Sequence, residues 1–95
     1  MLLVNAVPPT ITSEPTSQQP CFGDMVVLGV TAIGTEPLAY QWFQDGNPVT
    51  GATNATYTIG NVQTNLAGTY HVVVTNELGE ATSQPADVIV TQEPN

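Results

Sequence analysis

Leu38-Ala39-Tyr40-Gln41-Trp42-Phe43-Gln44-Asp45-Gly46 holds the chain's single tryptophan in the middle of an extended pattern that stops at a turn. Successive side chains of a strand point to opposite faces, so Leu38, Tyr40 and Trp42 share one face and Ala39, Gln41 and Phe43 the other. Asp45-Gly46-Asn47-Pro48 is a strong turn signal. Working outward, Ala67-Gly68-Thr69-Tyr70-His71-Val72-Val73-Val74-Thr75-Asn76 gives a second strand, with Tyr70, Val72 and Val74 on the inner face. Elsewhere Pro, Gly, Asn and Thr punctuate short alternating segments, and no stretch keeps a helical period. These are the marks of an all-β chain with two packed layers.

The chain has 95 residues, which predicts one domain with a small core. It contains no Lys or Arg and carries a formal charge of −8. Phosphate contacts are made mostly by cationic side chains, so nucleic acid is excluded as a partner. Anionic lipid is disfavoured for the same reason, and no apolar run approaches the roughly 20 residues that would insert in a membrane. Met1-Leu2-Leu3-Val4 has neither the length nor the basic residues of a signal peptide. Only His71 and the amino terminus can pair with a carboxylate, so stability must come from burial and backbone hydrogen bonds.

The order of the two runs, Trp in mid-strand, a turn, then Ala-Gly-Thr-Tyr opening another strand, resembles an intermediate-set immunoglobulin-like domain, in particular the tandem modules of bacterial surface proteins and phage virions. The resemblance covers residues 9–90 and implies a two-sheet antiparallel immunoglobulin-like β-sandwich of seven to eight strands. In that family the tryptophan of strand C packs between the sheets, and the tyrosine of strand F makes the tyrosine corner. On this pattern strand A is expected at residues 10–13, a short second A segment at 18–22, B at 25–33, C at 38–44 and F at 69–75. Strand G is expected at 80–90 with a bend at Pro85. Val49 marks C′, Tyr57 and Ile59 mark E, and a strand D is doubtful.

Cys21 is alone, so the inter-sheet disulfide common in the family is absent. Its two positions fall on Val30 and Val72, which are expected to fill the space beside Trp42. The aspartate that the family often places before Ala67-Gly68 is Leu66 here, and its arginine partner is missing too. Losing both halves is self-consistent, because a lone buried charge is costly.

The two ends echo each other. Leu2-Leu3-Val4-Asn5-Ala6-Val7-Pro8 and Val88-Ile89-Val90-Thr91-Gln92-Glu93-Pro94 are each three apolar residues, a polar one, and a proline three positions on. Residues 1–8 are therefore read as the end of a preceding repeat and a linker, 9–90 as the domain, and 91–95 as the next linker. On that reading residues 1–7 contribute little to the stability of this domain.

No catalytic, cofactor-binding or metal-ligating residue is assigned. His71 has no second His or paired Cys to complete a metal site, and the eight carboxylates lack calcium-loop spacing. Cys21 is expected to be a partly covered free thiol with no basic group to activate it. Asn54-Ala55-Thr56 fits a glycosylation sequon by composition alone. Trp42, Tyr70, Val30 and Val72 are read as core. Phe43, His71 and Val73 alternate outward on the C–F–G sheet and form the candidate contact patch. The outward positions of strands B and E, such as Gly29, Thr31, Thr56 and Thr58, are small or hydroxylated.

The resemblance thus implies a non-enzymatic spacer or adhesion module, extracellular or at the cell surface, in a tandem bacterial protein. Its partners would be neighbouring immunoglobulin-like repeats and a protein or carbohydrate ligand, with no cofactor. The alternatives are a domain on a phage virion surface and an accessory module of a carbohydrate-active enzyme.

Overall fold

The computed structural model describes residues 6–90. Strand segments are β1 (Thr10–Ser13), β2 (Val26–Gly29), β3 (Thr31–Ile33), β4 (Ala39–Gln44), β5 (Asn47–Pro48), β6 (Thr56–Ile59), β7 (Gly68–Asn76), β8 (Gly79–Thr82) and β9 (Ala86–Val88). A 3₁₀ turn occupies Thr64–Leu66. Segments β2 and β3 are one strand interrupted at Val30, and β8 and β9 are one strand interrupted at residues 83–85, so nine segments make seven strands. One layer pairs β1 with β3 and β2 with β6; the other runs β5-β4-β7-β8, with β9 also on β7. Every pairing within these sheets is antiparallel.

The expected second A segment is reduced to a parallel bridge from Gln18 to Val88. The Gln18 backbone bonds on both sides of Val88, donating to the Asp87 carbonyl at 2.9 Å and accepting from the Ile89 amide at 3.0 Å. Its side-chain amide donates to the Val27 carbonyl at 2.7 Å. One residue thereby ties the two layers together at their edge. Strand B does not run unbroken over residues 25–33: at Val30 the amide leaves the sheet rhythm and donates to Ala55 instead. Strand G breaks over residues 83–85, which includes the expected bend at Pro85. The buried Ser83 hydroxyl accepts from the Val72 amide at 2.9 Å and donates to the Gln84 carbonyl at 3.0 Å, so the bend leaves no polar group unpaired.

The core lies between the layers and is built from alternate residues of their strands. Val26, Leu28, Trp42, Val62, Tyr70, Val72 and Ala86 are fully covered, and Val30 retains 7% of its exposure. Val30 and Val72 both belong to the same cluster as Trp42. The indole N–H of Trp42 donates to the Asn54 carbonyl at 2.7 Å, so the large ring is buried without an orphaned donor. The Tyr70 hydroxyl donates to the Leu66 carbonyl at 2.6 Å, four residues upstream, which closes the corner before β7. Burial pushes the Tyr70 phenol up to about 12, helped by nearby Tyr57 and Asp45. Among the described residues no buried side-chain polar atom lacks a partner.

Val7 departs from the reading of residues 1–7 as merely a lead-in. Its amide donates to the Thr35 hydroxyl at 2.7 Å, and its carbonyl accepts from the Thr35 amide at 3.2 Å. Pro9 is buried behind it. Residues 1–5 of that stretch and the expected trailing linker, 91–95, lie outside the described residues.

Candidate functional site

The outer face of the β4–β7 sheet is organised in cross-strand rows, because paired residues of antiparallel strands share a face. One row is Pro48, Phe43 and His71, from β5, β4 and β7. The next is Gln41, Val73 and Thr82, from β4, β7 and β8. The sheet therefore brings Phe43, His71 and Val73 together, as their alternation implied. The Phe43 and His71 rings stack with centroids 4.8 Å apart and planes 2° from parallel. All three residues are half-buried, so the patch is a shallow band. His71 covers one face of the Phe43 ring.

Carboxylates border this band. Asp45 at the β4–β5 turn accepts from the Thr69 amide at 2.9 Å, and Asp87 accepts from the Thr69 hydroxyl at 3.0 Å. Glu80 sits on the far side, opposite Thr75. Asp45 also presses on Gly68, whose backbone has φ +149°; a Cβ there would lie 2.6 Å from a carboxylate oxygen. With no lysine or arginine in the chain, the band offers apolar contact and hydrogen bonds inside an anionic frame.

The opposite sheet is less bland than its Gly and Thr residues imply. Met25 and Val27 point outward with 65% and 47% of their surface open, more than Phe43 or Val73 retain. The sequence reading weighed Gly29, Thr31, Thr56 and Thr58 and passed over these two. Cys21 is also more open than expected: it is exposed, and its amide donates to the Asp24 carboxylate at 2.9 Å. No cleft forms among the described residues, and no three of their His, Cys, Asp and Glu side chains gather as a metal site.

Asn76, at the end of β7, reads in the sequence only as the start of the hairpin turn Asn76-Glu77-Leu78-Gly79. Its side-chain amide donates to the carbonyls of Val7 and Thr35, each at 2.9 Å. Its oxygen accepts from the amides of Leu78 and Gly79 at 2.8 and 3.2 Å. One carboxamide thus joins the incoming chain, the loop between β3 and β4, and the turn between β7 and β8. The only sequence signal was an asparagine opening a hairpin turn, which announces the local bonds and not the distant ones.

Comparison with known proteins agrees with this architecture. The immunoglobulin domain family matches residues 8–76, and the chain belongs to that family. It is 38% identical over 80 residues to the mucosa-associated lymphoid tissue lymphoma translocation protein 1 homolog of Mus musculus, an alignment covering 84% of this chain and 10% of that protein. It is 44% identical over 55 residues to the decoration protein of Escherichia phage T5, covering 57% of this chain and 34% of that protein. Among solved structures, Sidekick-1 immunoglobulin domains 1-5 superpose with a TM-score of 0.83 at 28% identity, covering 92% of this chain and 19% of that one. The chain therefore spans a tenth to a third of the curated relatives it matches here. The immunoglobulin domain is a typically non-catalytic scaffold.

Proposed function

We propose that this domain is a non-enzymatic spacer and adhesion module, working in series with immunoglobulin-like neighbours on a bacterial surface or secreted protein. The observation that carries this reading is the echo between residues 2–8 and 88–94, which sets the domain between two equivalent junctions. The likeness to a run of five such domains in Sidekick-1 supports it. The module's work is presentation: sandwiches in series hold a binding surface away from the cell. Its own surface for a protein or carbohydrate ligand is the Phe43, His71 and Val73 band.

A second reading, a domain on a phage virion surface, is favoured by the 44% identity to the T5 decoration protein. The coding sequence on either side separates the two. Further copies of the Trp42 to Tyr70 pattern in the same reading frame support the array. Neighbouring capsid or tail genes, with no repeats in frame, overturn it in favour of the virion.

A further inference from the structure

Among the described residues, the large apolar side chains left open gather at the two ends of the domain, except Val27 on the face of β2. Ile33 ends β3, Val7 is bonded to Thr35, and Leu78 lies in the β7–β8 turn that Asn76 ties back to Val7. These three form a group at the leading end, with 59%, 47% and 46% of their surface open. At the trailing end, Phe22 and Met25 flank the turn into β2, and Ile89 follows β9 beside Gln18. They keep 46%, 65% and 50% open. The topology places these two groups at opposite ends. Strand β2 begins opposite the end of β6, and β7 begins opposite Val88, whereas Ile33 pairs with Thr10 and Asn76 with Gly79 at the other end.

We infer that the leading end is a docking surface for the trailing end of a preceding module of the same kind, forming a fixed joint rather than a free hinge. This rests on the serial reading proposed above. Chain length is the first argument. If Leu2-Leu3-Val4 corresponds to Val88-Ile89-Val90, then only two residues, Asn5 and Ala6, lie between the counterpart of Val90 and Val7. An extended chain covers at most about 3.6 Å per residue, so these three steps span about 11 Å at most. Val7 is anchored by Thr35 and Asn76, so the neighbour's trailing end is brought onto the leading end. The second argument is chemistry. Each end offers three large apolar residues in the open, and apolar exposure gathered in one place marks contact surfaces. Charge works against the joint without forbidding it. Glu36 and Glu77 flank the leading end, and Asp24 and Asp45, which accept from the Cys21 and Thr69 amides, lie at the trailing end. With no cation available, the joint cannot be held by ion pairs. Added salt would screen the repulsion between its acidic rims and leave the apolar contact intact.

The test is a chain of two copies in which Val90 of the first is followed directly by Asn5 of the second. Residual dipolar couplings report whether the copies share one orientation. The joint predicts one common alignment tensor with equal order in both copies, kept or sharpened as salt is raised. Leu78→Ser together with Ile33→Ser in the second copy should split the tensor into two of unequal order. Both residues are exposed, so folding should survive, and the amide spectrum of the single domain with the same changes checks this. Val27→Ser, exposed on a sheet face, should leave the tensor single. Two independent tensors in the unaltered chain overturn the joint, and a single one that persists in the double variant overturns its apolar seat. The first result leaves the array standing as a flexible string and the second as a rigid one held elsewhere; absence of adjacent modules in the reading frame removes the array itself.

Discussion

The Asn76 side-chain amide meets the Val7 carbonyl at 2.9 Å, joining residues 69 positions apart. The same nitrogen reaches Thr35, and the side-chain oxygen holds the turn at Leu78 and Gly79. An asparagine that might serve only its own hairpin is instead the point where three chain segments meet.

Replacing Asn76 by Asp should separate these duties. The carboxylate keeps the acceptor for the Leu78 and Gly79 amides but has no N–H for Val7 and Thr35, and it brings negative charge to two carbonyls. We expect a loss of about 0.5–1.5 kcal/mol in urea unfolding, the net range for a hydrogen bond that water can partly replace. Amide exchange at Thr35 should accelerate while the turn stays formed. Unchanged protection at Thr35 would show that Val7 docks without Asn76.

Trp42→Ala should cost about 3–5 kcal/mol, as for other large buried aromatics. It removes a fully covered ring and also orphans the Asn54 carbonyl. A domain of this size has a total stability of that order. Native Trp42 fluorescence should be blue-shifted; a water-like spectrum would contradict its burial.

Gly68→Ala should destabilise by more than about 1 kcal/mol, since a side chain is strained at this backbone angle. It also meets the Asp45 carboxylate. Shortening that carboxylate in an Asp45→Ser background should recover part of the loss. If the two changes prove additive in denaturant titrations, the Asp45 contact is not the source.

Alkaline pH should unfold the domain by way of Tyr70. The native phenol holds its proton to about 12, against an ordinary 10.0, chiefly because of burial. Tyr57 is shifted upward too, by burial. A raised native value means that the folded state binds the proton more tightly. The stabilisation is therefore whole below pH 10 and declines as pH rises from about 10 to about 12. Tyr70→Phe should lower stability at neutral pH by about 1 kcal/mol through the lost bond to Leu66, and should flatten the alkaline decline. A decline of equal steepness in the variant would assign it elsewhere.

Contact at the Phe43 band predicts that Phe43→Ser weakens binding of a protein partner while Val27→Ser on the opposite sheet does not. Surface plasmon resonance with each variant decides this, and the reverse pattern would move the site to the β2 face.

Local sequence determined the strand pairs that matter most. Alternation around Trp42 and Tyr70 gave the faces of β4 and β7, because side-chain direction in a strand follows from position alone. The missing cysteine pair and the absence of lysine and arginine fixed, before any fold was seen, that no intradomain disulfide and almost no salt bridge could form. The stack of Phe43 on His71 needed the register of β4 against β7, which no single strand contains. The exposure of Met25 and Val27 depended on what failed to cover them. Asn76 became a junction only when the fold brought Val7 and Thr35 within reach of one carboxamide. Periodicity is a property of neighbouring residues and can be read along the chain, whereas a hydrogen bond between residues 69 positions apart exists only once the sandwich has closed.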